Sequence, residues 1–289
     1  MNAKFGPGGN AQLFYDQGFK KTQQAPKWLN DLGLDVYEYE GGNGITASTA
    51  TLEAIGEEAK KYGIAMSLHT PYFISLSSED EGIRIKSVQY ILKSAEAAEA
   101  LGARVMVVHT GSCAKISRER AMKFARKTIE YAVFALDNHD YKVKIGLETM
   151  GKLNQLGTLD EVIELCKVDK RLEPVVDFGH MNAREQGRFF NADDYKYVFD
   201  RISKGLDAEY AMKLHCHFSK IEFTKMGEKK HLTFEDSTYG PEFEPLAEAI
   251  VSLGVTPTII CESDGTMTED ALEMKRLYQK ALKSDIKQC

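Results

Sequence analysis

The sequence predicts an α/β fold, a single (β/α)8 TIM barrel, with residues 1–289 forming one domain. Three observations lead there. Eight short runs rich in Val, Ile, Leu or aromatic residues alternate with longer amphipathic stretches, as strand–helix repeats do. Dividing 289 residues among eight units leaves about 36 for each, enough for a strand, a helix and two loops. The competing doubly wound sheet wants a Gly-rich phosphate loop after its first strand, and Phe5-Gly6-Pro7-Gly8-Gly9-Asn10 is not G-x-G-x-x-G. No Ser/Pro-rich linker, low-complexity tract or break in composition divides the chain.

In chain order the predicted strands are Lys4–Pro7, Asp35–Glu40, Ala65–His69, Arg104–His109, Lys144–Glu148, Pro174–Asp177, Lys213–His217 and Pro257–Glu262. Most are dense in strand-forming side chains, and all are too short for a stable helix. Asp80–Leu101 reads as a helix because Ile83, Ile85, Val88, Ile91, Leu92 and Ala95 recur at helical spacing. Ser78-x-x-Glu81 and Thr158-x-x-Glu161 have the form of capping boxes, the second directly ahead of Val162-Ile163. Gly63, Gly102 and Gly254 stand where a helix must stop before the next strand.

Composition narrows the function classes. With 43% apolar residues the chain can bury a sizeable core, which excludes disorder, collagen and coiled coil. The 37 basic and 43 acidic side chains give a net charge of −6, which counts against tight binding along a polyanion. Residues Met1–Gly9 hold no apolar leader core, and no apolar run approaches ~20 residues, so no membrane partner and a cytoplasmic location are expected. Cys113, Cys166, Cys216, Cys261 and Cys289 are odd in number, far apart and free of any C-x-x-C pair. They read as reduced thiols packed as small hydrophobes.

The chemistry shows in where the polar residues fall. The third to eighth strands end at His69, His109, Glu148, Asp177 (with His180 three residues on), His217 and Glu262. Barrel enzymes place their chemistry at these C-terminal strand ends. A closed barrel would aim all six at one small volume, where three carboxylates would repel one another and lose hydration. Divalent cations relieve that repulsion. Imidazole with carboxylate and no thiolate suits Zn²⁺, with Mn²⁺ or Fe²⁺ as alternatives. His215 and His217 share one strand face about 6.6 Å apart, so only one is expected to reach an ion at the strand end. Cys216 faces the other way, into the core. His139, at a helix end, reads as surface.

The chain resembles the endonuclease IV family of metal-dependent apurinic/apyrimidinic endonucleases. The matching segments are Ser67-Leu68-His69-Thr70-Pro71-Tyr72, Val107-Val108-His109-Thr110-Gly111-Ser112, Leu147-Glu148-Thr149-Met150-Gly151-Lys152, Val176-Asp177-Phe178-Gly179-His180 and Cys261-Glu262. They keep the family's order and span about two thirds of the chain. The resemblance implies a barrel with two or three zinc ions that hydrolyses the phosphodiester 5′ to an abasic site through metal-activated hydroxide. By that resemblance His69 and His109 hold the first ion and Glu148 bridges to the second. Asp177, His215 and Glu262 complete the second, and His180 and His231 hold the third. Glu148 is then the catalytic carboxylate, Tyr72 contacts substrate, and damaged DNA or another phosphodiester is the partner, with no protein partner implied.

Two segments depart from the family. Its third seat uses an Asp-x-His pair, whereas Gly227-Glu228-Lys229-Lys230-His231 puts Lys229 where the Asp belongs; either Glu228 substitutes from one residue away or the seat lacks that ligand. The basic run expected after the second strand is replaced by Tyr37-Glu38-Tyr39-Glu40-Gly41-Gly42-Asn43-Gly44, read as an acidic, flexible loop. Lys152, Arg184, Arg188, Lys220, Lys225, Lys229 and Lys230 are basic residues near the expected mouth, with Lys152 and Arg184 the chosen phosphate contacts. Phe189-Phe190 is either a packing element or a stacking wedge. The alternative function is a sugar isomerase or epimerase of the wider xylose-isomerase-like group. It would hold one Mn²⁺ or Mg²⁺ on Glu148, Asp177, His215 and Glu262, with the two Glu moving the proton. A metal-stabilised binding module is the non-catalytic reading.

Overall fold

All eight predicted strands form, and they lie side by side in one parallel sheet. The computed structural model describes residues 2–286. The strands are β1 (Lys4–Pro7), β2 (Val36–Glu40), β3 (Ala65–His69), β4 (Val105–His109), β5 (Lys144–Glu148), β6 (Leu172–Asp177), β7 (His215–Phe218) and, after a hairpin of β8 (Lys220–Thr224) and β9 (Gly227–Leu232), β10 (Thr258–Cys261). Sheet order β1-β10-β7-β6-β5-β4-β3-β2 is that of a TIM barrel. The two end strands meet through a parallel bridge between Gly8 and Glu38 and through Asp35 N donating to Phe5 O at 2.9 Å. Gly6 permits that approach, since a Cβ there would lie 1.7 Å from Val36 O.

Helices α1 (Gln12–Asp16), α2 (Ala25–Leu32), α3 (Thr49–Tyr62), α4 (Glu81–Leu101), α5 (Arg118–Asn138) and α6 (Leu159–Cys166) line the first half of the barrel. They are followed by α7 (Phe178–Arg184), α8 (Ala192–Gly205), α9 (Ala208–Met212), α10 (Glu244–Leu253) and α11 (Met267–Ile286). The predicted stops hold: α3, α4 and α10 end at Gly63, Gly102 and Gly254 with φ of +70°, +66° and +63°. Thr158 Oγ1 accepts from Glu161 N and Glu161 Oε2 accepts from Thr158 N, closing the predicted box on α6. The box at Ser78 does not form. Asp80 caps α4 instead, its Oδ1 accepting from Ile83 N at 3.2 Å, while Ser78 serves Asp80 N. The apolar spacing on α4 also misleads at its start. Ile83 and Ile85 are exposed, and the buried face runs through Ser87, Ile91, Ser94, Ala95 and Ala98. Small side chains suit a helix wedged between α3 and α5.

Strand side chains alternate between two environments. Leu68, Val108, Leu147, Val176, Cys216 and Ile259 point outward into the core shared with the helices. Val36, Val105, Val107, Val175 and Ile260 fill the lower barrel, where Gly146 makes room for Val175 and Val105. The next inward positions toward the C-terminal ends are polar, and that change of layer creates the site. Cys113, Cys166, Cys216 and Cys261 are buried free thiols, and Cys289 lies outside the described residues. Among the described residues no helix is long and apolar enough to cross a membrane.

Candidate metal centre

Strand register sets the polar residues in a ring. Glu40 pairs with His69 across β2/β3, His109 with Glu148 across β4/β5, and Asp177 with His217 across β6/β7. Glu148 is the hub. Its Oε2 lies 3.0 Å from His109 Nε2 and 3.5 Å from His69 Nε2, and its Oε1 lies 3.1 Å from His217 Nδ1 and 3.5 Å from His180 Nδ1. The short helix α7 brings His180 round. Asp177 caps it, Oδ1 accepting from His180 N at 2.7 Å, which leaves Oδ2 3.3 Å from His180 Nδ1.

Backbone and hydroxyl groups hold several of these rings. His69 Nδ1 sits 2.9 Å from Thr70 O, His180 Nδ1 3.0 Å from Thr149 O, and His231 Nδ1 2.8 Å from Ser219 Oγ. Such outer contacts orient imidazole ligands in metal sites. The donor set fits divalent cations on a further ground: Glu148 Oε2 and Asp177 Oδ2 are buried without a hydrogen-bond partner. His217 Nδ1 faces both Glu148 Oε1 and Glu262 Oε1 at 3.1 Å, more than one N–H can serve. Sets that could hold an ion are His69–Glu148–His217, Glu148–Asp177–His217–Glu262, Asp177–His180–His231, Glu38–Glu40–Glu262 and, with the predicted His215, Glu38–His215–His217. Without cations, protonated imidazoles neutralise the carboxylates. Burial opposes charge on His69, but Glu148 and Glu40 override it and push the ring up to about 10; His180, facing Asp177, Glu228 and Glu148, rises to about 9. Burial and the neighbouring charged rings push His109 down. Burial raises Asp177 to about 6, whereas His217 holds Glu262 at about 2 despite burial.

The predicted residues separate into those brought together and those not. His69, His109, Glu148, Asp177, His180, Glu262 and His231 lie around one volume at the C-terminal strand ends. On β7 it is His217 that faces Glu148 and Glu262. His215 sits one step deeper, its Nε2 3.0 Å from Glu38 Oε2. Tyr72 is half exposed at the mouth, its ring stacked on His109 with centroids 5.5 Å apart and its hydroxyl 3.4 Å from Glu40 Oε2. Lys152 lines the mouth. Arg184 does not: its guanidinium donates to Lys152 O at 2.7 Å and Met150 O at 3.1 Å, clamping the loop after β5. Lys220 is buried against Glu242, and Arg188 pairs with Glu185 and stacks on Tyr197. Phe189 packs on Phe178 and Tyr195, while Phe190 is exposed.

Three features escape sequence reasoning. Tyr37–Glu40 lies in β2, within the predicted strand Asp35–Glu40, so only residues 41–44 remain of the expected acidic loop; what the sequence did not show is that Glu38, fully buried, contacts His215 and His217 (Oε1 to His217 Nε2, 2.9 Å). Glu40 lines the cavity, its carboxyl raised to about 7 by burial. The alternation Tyr-Glu-Tyr-Glu carried that signal, because period two on a barrel strand turns both Glu inward. The hairpin β8–β9 also forms, bringing Glu228 to the wall; its charged sequence Gly-Glu-Lys-Lys-His-Leu gave no strand signal. The resulting cavity encloses about 700 Å³.

Comparisons with known proteins agree with this architecture. An uncharacterized protein of Methanocaldococcus jannaschii is 28% identical over 254 residues, covering 87% of this chain and 90% of that one. A protein of Staphylococcus carnosus named probable endonuclease 4 is 30% identical over 178 residues, 59% of this chain and 58% of its own length. The chain thus spans little more than half of that relative. Among solved structures, endonuclease IV from Thermus thermophilus superposes with a TM-score of 0.70 at 20% identity, covering 97% of this chain and 99% of that one. A D-tagatose 3-epimerase-like protein gives 0.66 at 21%, covering 88% and 91%. At these identities the structural likeness speaks for the fold alone. The family model described as xylose isomerase-like TIM barrel matches residues 26–283, and the chain belongs to that family.

Proposed function

We propose that this chain is a metal-dependent phosphodiesterase of endonuclease IV type, hydrolysing the phosphodiester 5′ to an abasic site in DNA with two or three zinc ions. The observation that carries the reading is the convergence of His69, His109, His180 and His231 on Glu148, Asp177 and Glu262. One ion for sugar chemistry needs two Glu, one Asp and one His, which leaves four imidazoles unaccounted for. The S. carnosus relative, named probable endonuclease 4, supports the same direction.

His69 and His109 would hold the first ion and Glu148 would bridge to the second, completed by Asp177, Glu262 and His217. His217 takes the role the resemblance gave to His215, because it is the β7 imidazole facing both carboxylates. His180 and His231 would serve a third. When bound, the ions supply positive charge to the phosphate oxygens and lower the pKa of water. Water oxygen adds to phosphorus, the P–O3′ bond breaks, and a proton ends on the 3′ oxygen. Thr70 O, Thr149 O and Ser219 Oγ keep the imidazoles oriented throughout. Tyr72, stacked on His109, offers a flat wall for a sugar or base, and Lys152 at the rim attracts the phosphate.

A second reading, a single-metal sugar epimerase, is favoured by Glu38 and Glu40. Two further carboxylates beneath and beside the cavity suit a neutral polyol better than a polyanion. One paired experiment separates them: metal counting on the purified protein, with incision of a duplex containing one abasic site. Two or three zinc ions with 5′ incision support the phosphodiesterase. One Mn²⁺, no incision, and exchange of a sugar C–H proton into solvent would overturn it.

A further inference from the structure

The hairpin β8–β9 departs from a regular ladder at the wall of the site. Glu222 pairs with Lys230, yet the next residue, Phe223, pairs with Glu228, so Lys229 is an extra residue on β9. In an unbroken strand residues two apart share a face, and Lys229 would stand on the same face as His231. A bulge adds one residue and shifts the alternation beyond it by one. The burial follows the shifted pattern. Glu228 and His231 are partly buried, whereas Lys229 and Lys230 are exposed and reach Glu222, Lys229 Nζ at 2.6 Å from its Oε1.

We propose that Glu228, turned inward by this bulge, is a ligand to a divalent cation shared with His180 and His231, so that a Glu-x-x-His pair forms the third seat. The proposal rests on the reading of the site as a metal cluster. Glu228 Oε2 lies 3.5 Å from His180 Nε2. Two ligands with bonds of about 2.0–2.1 Å to one tetrahedral zinc stand about 3.3 Å apart, so the pair is at coordination spacing before any ion binds. His180 Nδ1 and His231 Nδ1 are already engaged by Thr149 O and Ser219 Oγ, which leaves Nε2 of each ring as the ligating atom. Lys152 Nζ, 4.0 Å from Glu228 Oε1, forms an ion pair with the carboxylate but no hydrogen bond.

The backbone is shaped to seat this side chain. A Cβ on Gly151 would lie 2.5 Å from Glu228 Cβ and 2.8 Å from its Oε2. Glu228 N donates to Gly151 O at 3.2 Å, and Gly227, at φ +90°, approaches Gly151 O so closely that a Cβ there would lie 2.1 Å away. The two glycines dock the hairpin on the loop after β5 and place Glu228 over His180.

The test is zinc stoichiometry by mass spectrometry, after chelation, reloading and dialysis of the full chain. Three ions are expected in the wild type and two in Glu228→Ala. Glu228→Gln, which keeps the volume, should weaken the last ion by at least about 10²-fold in calorimetric titration. Adding Lys229→Asp to Glu228→Ala should restore nothing, because residue 229 is the extra residue of the bulge and is turned to Glu222 rather than to His180; recovery of the third ion there would overturn the bulge argument. Two ions in both the wild type and Glu228→Ala would overturn the proposal while leaving a dinuclear site. No bound zinc in the wild type would overturn the metal cluster along with it.

Discussion

Replacing Glu148 with Gln removes one negative charge from a point that four imidazoles share, at 3.0, 3.1, 3.5 and 3.5 Å. The side chain is fully buried, so water cannot compensate. In the metal-free protein at pH 7, His69 and His180 hold protons, raised to about 10 and about 9, and His217 is raised as well. Breaking a buried ion pair by deleting one partner costs roughly 3–5 kcal/mol. At roughly 2 °C per kcal/mol for a chain of this size, the chelated variant should melt about 6–10 °C below wild type. Thermal unfolding followed by circular dichroism at pH 7 measures this directly. The difference should shrink above pH 10, where His69 and His180 lose their protons and Glu148 keeps less compensation for its buried charge. A melting point within about 2 °C of wild type at pH 7, or a gap that widens at pH 10, would refute the hub role. With zinc restored, the variant should lose at least about 10²-fold in incision, and full activity would sink both the phosphodiesterase and the epimerase readings.

Coordination needs neutral imidazole, so loading zinc at pH 7.5 should expel protons from His69 and His180, at least two per chain; titration in buffers of different ionisation enthalpy counts them. Apparent zinc affinity should accordingly rise from pH 6 to 9 and level off near pH 10. The same raised pKa values stabilise the metal-free fold fully below pH 6.5, and that contribution disappears as pH rises through 9–10; Glu262, held near 2, contributes above 4.5 and fails only as pH falls toward 2. Denaturant titrations at pH 6 and pH 10.5 should show the alkaline loss. Lys152→Ala should raise KM for a phosphodiester about fivefold with kcat unchanged, as removal of an exposed rim charge does; a fall in kcat alone would contradict that placement. Thr158→Ala opens the capping box on α6 and should cost about 1 kcal/mol in urea unfolding without changing bound metal.

Local chemistry made most of the barrel legible. Short β-rich runs, helix-stop glycines at Gly63, Gly102 and Gly254, and the box at Thr158 act within a few residues, so one dimension suffices to read them. The C-terminal strand ends were equally legible, because a barrel must aim His69, His109, Glu148, Asp177 and Glu262 at one volume whatever its details. Arg184 was misread because a basic residue near the mouth reads the same in sequence whether it faces phosphate or carbonyls; only the fold of the loop after β5 shows which. Choosing between His215 and His217 needed the height of each along β7 against Glu148. Glu38 and Glu40 stood on a predicted strand, but their place in the site needed the closure of β2 onto β1. Glu228 needed a register shift between two strands that share no sequence signal. Periodicity and strand-end chemistry are properties of the chain alone, whereas depth, register and partner depend on distances between segments far apart in sequence, and those exist only once the barrel closes.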